Sequence, residues 1–385
     1  MQRVRTIIVF LLLVFSFHGL WGQSDSLAGF IERSRLYKDF FDLGEKVLDH
    51  LTWERGRSVL VVYPAGGYSQ RTGLEMGIMP VLSWHNKEEK RQLAGHPNTF
   101  TSTFQFSTHG MVELRGEVEL FPSSKWQLRS RLNLLKLNDR LWPIGDGNED
   151  YVTYQSKRYE FSGEVLYGVG SGLFVGSIFQ LQNFNFSNWG FIANPVEIEG
   201  LEGGGVTGAG PAVLYDTRSH VYFPRKGFYI KGSVEFNFKS AMGDYAYRDY
   251  LVDFRKYVSL RKKVLASQLL WEYASGKVPF FMLPKLGGSD RLRGVGHSQQ
   301  VIDQHVWLMQ SELRFPLWWR FGGVGFAGFG QARPKPEVDW SHLIYSGGVG
   351  LRFRILPDDP LNIRVDAALA SGGLHGFFIS LKEAF

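Results

Sequence analysis

Hydrophobic and polar residues alternate along most of this chain with a period of two. Between Phe228 and Lys239 the even positions read Phe, Ile, Gly, Val, Phe, Phe, and the odd positions read Tyr, Lys, Ser, Glu, Asn, Lys. Val112–Leu120 and Ile363–Leu369 alternate in the same way, with charged residues on the polar side. This period predicts β-strands with one apolar and one polar face. Such runs also match the roughly 9–11 residues of a strand that crosses a membrane.

About sixteen segments carry this pattern, which predicts an all-β fold. They lie near 58–69, 72–86, 98–108, 111–121, 126–138, 151–168, 172–186, 205–216, 227–240, 248–260, 264–275, 304–315, 320–331, 342–355, 361–370 and 375–385. Most of the stretches between them sort into short turns, as on the periplasmic side of a barrel, and longer outer loops. The stretch Lys87–Pro97 is the exception, because it is long for a periplasmic turn. We therefore predict a 16-stranded antiparallel transmembrane β-barrel over residues 58–385.

The first residues predict export. Arg3 and Arg5 precede an apolar run from Thr6 to Phe17, and Gly22 offers a small residue at a cleavage point. Such a run is too short to span a bilayer and is typical of a signal peptide, which we place at 1–22. Residues 23–57 are then a short periplasmic or plug segment, either a helix or a linker.

The last segment combines one apolar face with a terminal aromatic residue. Phe377, Ile379, Leu381 and Phe385 lie on one side of a predicted strand over 375–385. An apolar closing strand is what a barrel needs, because closure pairs every backbone group within the hydrocarbon layer. We predict that these four residues form the signal that the barrel-assembly machinery recognises.

Composition and motifs argue against several other functions. The formal net charge of +6 is too small to indicate a nucleic-acid partner. The chain has no cysteine, no G-x-S-x-G and no H-E-x-x-H, so it offers neither a disulfide framework nor a familiar hydrolase or zinc motif. We predict that the protein is not an enzyme and uses no metal or cofactor.

Several short motifs, taken in order, resemble a known family. Leu286–Val295 reads LGGSDRLRGV and is similar to the loop motif of the BamA/TamA-type surface-antigen barrels of the outer membrane. The other matching stretches are Gly66–Gly73, Ile144–Asn148 with Tyr151, Tyr215–Arg218 with Pro224–Gly227, Ser311–Pro316, Gly348–Arg352 and Ser380–Phe385. The resemblance covers about 58–385. It implies an integral protein of the Gram-negative outer membrane that inserts or translocates protein or lipid.

The resemblance also implies functional residues. Leu292, Arg293 and Gly294 would lie on an extracellular loop folded back into the lumen. The alternation between Val306 and Phe315 turns Glu312 inward, which makes it the natural partner of Arg293. The family's mid-barrel turn corresponds here to Asp216, Thr217, Arg218, Pro224 and Gly227.

Three departures from the family pattern stand out. Val295 replaces the usual aromatic residue, and Gly328-Phe329-Gly330 replaces a D-x-G, so the loop anchor is expected to lack one carboxylate. Residues 23–57 are also too few for the POTRA modules that receive clients, which predicts a stand-alone, POTRA-less member.

Two functions remain open at this stage. The first is an assembly or translocation factor whose first and last strands part at a weak seam. The alternative is a passive pore or structural barrel without a client. The expected partners are outer-membrane lipid, the barrel-assembly machinery during biogenesis, and a client or a separate periplasmic protein.

Overall fold

The structure is a computed structural model that describes residues 51–69, 71–85, 97–123, 125–145, 151–190, 198–221, 223–295, 301–318, 320–354, 362–381 and 383–385. Its strands all lie in the compact unit Thr52–Phe385. They are β1 (Thr52–Arg55), β2 (Ser58–Ser69), β3 (Gly73–Trp84), β4 (Asn98–Ser107), β5 (Val112–Ser123), β6 (Trp126–Leu141), β7 (Val152–Gly170), β8 (Leu173–Ser187), β9 (Gly204–Asp216), β10 (Gly227–Asn237), β11 (Tyr247–Leu260), β12 (Lys263–Gly276), β13 (His305–Pro316), β14 (Phe321–Arg333), β15 (Ile344–Arg354), β16 (Asn362–Ala370) and β17 (His375–Leu381).

The described part of the chain is almost free of helix. Short 3-10 turns occur at Phe280–Met282, Trp340–His342 and Ser371–Gly373. Among the described residues, no helix has the length and apolar character needed to cross a membrane.

All strands belong to one antiparallel sheet of 17 strands. From β2 onward each strand lies beside the next along the chain, and β17 lies beside β2. Each of β2–β17 therefore has a neighbour on both sides. These strands correspond one for one to the predicted segments. The additional strand, β1, pairs with the start of β2 through Thr52↔Val61 and Arg55↔Ser58.

The two faces of the sheet differ in chemistry, as the alternation predicts. On β10 the side chain of Phe236 is 46% exposed, whereas the neighbouring Asn237 is 5% exposed. On β16, Leu369 is 72% exposed and Asp366 is fully buried. The apolar side chains thus face outward and the polar ones inward, the reverse of a water-soluble sheet. We call the polar, buried face the interior face.

Both ends of the predicted barrel differ from expectation. The strand predicted over 375–385 ends at Leu381, and residues 383–385 continue outside it. The predicted segment 23–57 reaches the described residues only at 51–57, which form β1 and the turn into β2 rather than a helix. The signal peptide at 1–22 and residues 23–50 lie outside the described part of the chain.

The interior face has two differently filled regions. Along β13–β16 it is covered by the segment between β12 and β13, and we call this region the packed half. Along β4–β8 and β10–β12 the interior side chains line a cavity of about 840 Å³, and we call this region the open half.

Candidate functional site

The segment between β12 and β13 folds back onto the interior face. After the turn at Phe280–Met282, its two arms come together where the Leu286 amide donates to the Val301 carbonyl at 3.0 Å. Its apolar side chains form a buried cluster with those of the strands beneath. The cluster comprises Leu270, Leu286, Leu292, Val295, Val301, Val306, Leu308 and Ala332. Apolar packing therefore holds this loop against the sheet before any charge is considered.

Arg293 lies at the centre of the packed half, and its side chain is fully buried. Its Nη2 is 2.6 Å from Glu312 Oε2 on β13, and its Nη1 is 3.0 Å from Asp366 Oδ2 on β16. Its guanidinium carbon lies 3.5 Å from the ring centre of Phe326 on β14. A buried guanidinium needs such charged partners to offset the loss of water, and an aromatic face adds further attraction.

Asp366 is the site residue that sequence reasoning missed. The expectation that the loop anchor lacks a second carboxylate is wrong, because Asp366 on β16 supplies one. The position of the family's usual acid, Gly328, has no room for a side chain. A Cβ there would lie 2.7 Å from both Met309 O and Gln310 Cβ, and 2.9 Å from Leu292. Alternation identified Asp366 as an inward residue but could not indicate which loop it meets.

Gly294 brings the loop tip into direct contact with β16. Its amide donates to Ser346 Oγ on the neighbouring strand β15 at 3.1 Å. A Cβ at this position would lie 2.7 Å from the carbonyl carbon of Leu369 and 2.8 Å from Ala370. The glycine of the L-R-G motif therefore allows the backbone of the loop to lie directly against the backbone of β16. Leu292 and Val295, on either side of this contact, pack into the buried cluster.

The anchor of Arg293 continues into a wider network of buried charges. Arg314 is 2.6 Å from Glu312, and Arg352 bridges Asp366 at 2.5 Å and Glu383 at 2.9 Å. Arg364 lies 3.7 Å from Asp366. The loop is thus linked, through alternating positive and negative groups, to the residues that follow β17.

The predicted C-terminal signal residues do not share one face. Phe385 is buried against Tyr257 and Ala266, and its backbone oxygen accepts a hydrogen bond from Arg314 at 2.8 Å. Phe377 and Ile379 are instead partly exposed. The ring of Phe377 lies 6.3 Å from that of Tyr68 on β2. The side chain of Leu381 is outside what the structure describes, and the signalling role of these residues stays a prediction.

The mid-barrel motif forms the turn between β9 and β10. Arg218 binds Asp216 at 2.7 Å and stacks 4.5 Å from the ring centre of Tyr229. Thr217 Oγ1 accepts from the Phe228 amide at 3.0 Å. Gly227 adopts φ +108°, and a Cβ there would lie 2.2 Å from the Thr217 carbonyl oxygen. Pro224 is buried in the same turn.

In the open half, ion pairs on neighbouring strands line the cavity. Arg129 lies 2.7 Å from Glu119 and 3.1 Å from Glu164, and Lys231 lies 2.5 Å from Glu164. The loop between β12 and β13 forms another part of the wall, where Arg291 binds Glu272 at 2.6 Å. In that loop, burial and the charges of nearby arginines lower the pKa of Lys285 to about 8.

Both the sequence and the structure of this chain were found to be similar to known outer-membrane barrels. Residues 207–363 match the Omp85 superfamily domain. The structure is similar to the crystal structure of BamA from Haemophilus ducreyi lacking POTRA domains 1–3. The TM-score is 0.55 and the identity 15%, over 86% of this chain and 70% of that one. The chain therefore shares its fold with BamA-type barrels.

Two further solved structures resemble this fold. CdiB from Acinetobacter baumannii gives a TM-score of 0.54 at 11% identity, and CdiB from Escherichia coli gives 0.60 at 10%. Each covers 86% of this chain, which spans only 60% and 63% of the CdiB chains, respectively. No curated protein matches the sequence. At these identities the likeness concerns the fold, so function is argued from the site.

Proposed function

We propose that β2–β17 close into a 16-stranded barrel that spans the bacterial outer membrane. Support comes from the neighbour that each of these strands has on both sides. The exposed apolar side chains suit contact with lipid, and the buried polar ones suit a lumen. In a closed barrel every strand edge is paired, so no backbone amide or carbonyl group is left without a hydrogen bond. Strands can cross the hydrocarbon layer of a membrane only under this condition.

Within that barrel, the protein acts to insert or translocate polypeptide, or lipid, at the outer membrane. The observation that carries this proposal is the geometry of the seam, by which we mean the contact between β17 and β2. β17 has seven residues, whereas β2 has 12. β17 is therefore too short to pair along the whole edge of β2, and an incompletely paired edge can accept another strand.

The residues at the seam support a weak contact. Gly67 of β2 lies beside the Ile379 carbonyl of β17, since a Cβ on Gly67 would be 3.0 Å from that oxygen. β1 covers the other end of β2, from Ser58 to Val61. Pro64 lies between these two regions and has no amide to donate to a neighbouring strand. The edge of β2 is thus divided between two short strands, either of which a client strand can replace.

The loop that carries Arg293 holds the strands on the β17 side of the seam in place. Arg293 ties the loop to β16 through Asp366, and β16 is the strand that pairs with β17. We expect the packed half to stay rigid while β2 and β17 separate. On this proposal the partners are outer-membrane lipid on the apolar face, the barrel-assembly machinery during biogenesis, and a client or a periplasmic protein that delivers it.

Photocrosslinking at the seam tests this function. Tyr68 on β2 is 42% exposed and lies next to Phe377, whereas Tyr159 on β7 is 52% exposed and far from the seam in strand order. Each tyrosine is replaced by p-benzoylphenylalanine in the full chain, and cells are irradiated. We expect a protein adduct at Tyr68 that is absent at Tyr159, because only the seam admits a client edge.

The same experiment separates the proposal from its rival. Identical crosslinking patterns at the two positions, or none at either, would contradict a client at the seam. If the purified protein then conducts ions in planar bilayers, the passive-pore function takes its place. Copurification from native membranes identifies the adduct as either a client or a standing partner.

A further inference from the structure

Two carboxylates face each other in the wall of the open half. Glu235 on β10 and Asp249 on β11 are direct partners in the register of the two strands. Both line the cavity of about 840 Å³. Like charges placed directly opposite each other on neighbouring strands repel, so this pair destabilises the sheet unless something offsets it.

Neither carboxylate forms an ion pair among the described residues, in contrast with three other acids of the same wall. Glu119, Glu164 and Glu272 each form an ion pair with an arginine or a lysine. Lys231, on the same face of β10 as Glu235, is bound to Glu164 at 2.5 Å. An uncompensated buried charge is costly, so either a proton or a cation from outside the chain has to offset it.

Neutral polar groups orient the pair but leave oxygens free. Asn237 donates to Asp249 Oδ2 at 2.9 Å and accepts from Gln180 at 2.8 Å. Oε1 of Glu235 is buried and accepts no hydrogen bond of normal geometry, although the side chain of Gln180 lies close to it. Tyr247 lies two positions before Asp249 on the same face of β11. It is 4% exposed, and its hydroxyl also lacks a hydrogen bond of normal geometry.

A glycine lets these oxygens approach the backbone of β9. A Cβ on Gly208 would lie 2.6 Å from Glu235 Oε1 and 2.1 Å from Asn237 Oδ1. Any side chain at this position would therefore displace the two oxygens from where they lie.

We infer that Glu235, Asp249 and the Tyr247 hydroxyl form a binding site for a hard divalent cation, Mg²⁺ or Ca²⁺. The atoms that could coordinate an ion here are all oxygens, the ligand atoms that Mg²⁺ and Ca²⁺ prefer. The two carboxylates match the ion's double charge. Mg²⁺ is commonly held by one or two carboxylates and retained waters, and the cavity has room for waters of about 30 Å³ each. The site does not depend on the proposed function of the seam.

Sequence reasoning predicted no metal because the ligands come from two strands and form no linear motif. Pattern analysis identifies Glu235 and Asp249 only as inward residues. Their direct opposition depends on the β10–β11 register, which the structure supplies.

Metal titration of the folded full chain tests the site. Protein purified in detergent and treated with EDTA is titrated with CaCl₂ or MgCl₂ in a calorimeter. We expect a single saturable ion per chain. Glu235→Gln and Asp249→Asn should each weaken binding by about tenfold or more. Glu117→Gln is the matched control, because it removes a cavity carboxylate that already pairs with Arg131, and it should leave binding unchanged.

Two further variants separate loss of the site from loss of the fold. Gly208→Ala keeps every ligand but should weaken binding, because its methyl group would displace the side chains of Glu235 and Asn237. Tyr247→Phe should weaken it and reduce Tyr-sensitised luminescence of bound Tb³⁺. The heat-dependent shift in gel mobility verifies that each variant is folded. The inference is wrong if no stoichiometric ion binds to the unaltered protein. It is also wrong if the double variant Glu235→Gln, Asp249→Asn still binds the ion. Binding of the organic cation methylguanidinium at this site, without binding of metal, would contradict it as well.

Discussion

The packed half and the open half use charge on the same kind of strand in opposite ways. In the packed half, the side chains of Arg293, Glu312 and Asp366 have no exposure to solvent. In the open half, the pair Arg131–Glu117 has the same chemistry, but its side chains are 61% and 31% exposed. The strands of both halves alternate alike. The difference follows the loop between β12 and β13, which covers the Arg293 network but leaves Arg131 and Glu117 facing the cavity.

This difference predicts where charged residues matter for stability. Removing one partner of a fully buried pair leaves the other charged and dehydrated, which costs about 3–5 kcal/mol. An exposed pair is worth only about 0–1 kcal/mol, because water solvates whichever partner remains. Equivalent substitutions in the two halves should therefore have very different effects, and each prediction below sets one against the other.

Arg293→Glu should have the largest effect. It places a third carboxylate against Glu312 and Asp366 in a buried space, so we expect a loss of about 3–5 kcal/mol and a low folded yield. Folded yield is measured as the heat-modifiable fraction, and stability as the urea midpoint. Arg131→Glu is the matched variant in the open half and should change stability by about 1 kcal/mol or less.

A second substitution tests whether Arg293 and Glu312 act as a pair. Arg293→Glu combined with Glu312→Arg should recover part of the loss, since one ion pair is restored. Recovery should be incomplete, because Arg314 also binds Glu312 and Asp366 still faces the new glutamate. No recovery at all would mean that the contact between the two residues contributes nothing to stability.

The sequence was sufficient for most of the strands but for only part of the site. Period-two alternation depends on the residue's own strand alone, so all of β2–β17 could be predicted from it. Glu312 was predicted as the partner of Arg293 because the sequence shows both the loop motif and, through the alternation, which residues of β13 point inward. β1 was missed because its four residues are too few to show a period.

Asp366 and Phe385 show where sequence reasoning ends. Asp366 meets Arg293 across 73 positions of chain, and that contact depends on how the loop lies over β16. Phe385 seemed to continue the apolar face of the last strand. In the structure, β17 ends at Leu381, and Phe385 packs against Tyr257 on the interior face. The alternation predicts the direction of a side chain only within a strand, so it could not place Phe385, which lies beyond the end of β17.

Asp366→Asn should have an intermediate effect. It keeps the shape and a carbonyl acceptor but removes the negative charge that faces both Arg293 and Arg352. Hydrogen bonds to charged groups contribute about 1.5–3 kcal/mol, which is the loss that we expect in urea unfolding. Glu117→Gln in the open half should cost about 1 kcal/mol or less. Equal losses for the two variants would show that Asp366 is not part of the loop anchor.

Gly294→Ala should give the smallest effect, and it tests packing rather than charge. The added methyl group would meet the backbone of Leu369 and Ala370 at 2.7–2.8 Å, so the loop must move away from β16. Overpacking of this kind costs about 1–3 kcal/mol. Gly232→Ala on β10 is the control, because a Cβ there has no neighbour within 4 Å, and its stability should be unchanged.

The readout for Gly294→Ala should also be local. The chain has no cysteine, so Ser289→Cys in the loop can be labelled with a maleimide without background. We expect faster labelling when Gly294→Ala is present and an unchanged rate with Gly232→Ala. If Gly294→Ala lowered the urea midpoint but left the labelling rate unchanged, the loop would not have moved. The close contact with β16 would then stabilise the packed half without holding the loop in place.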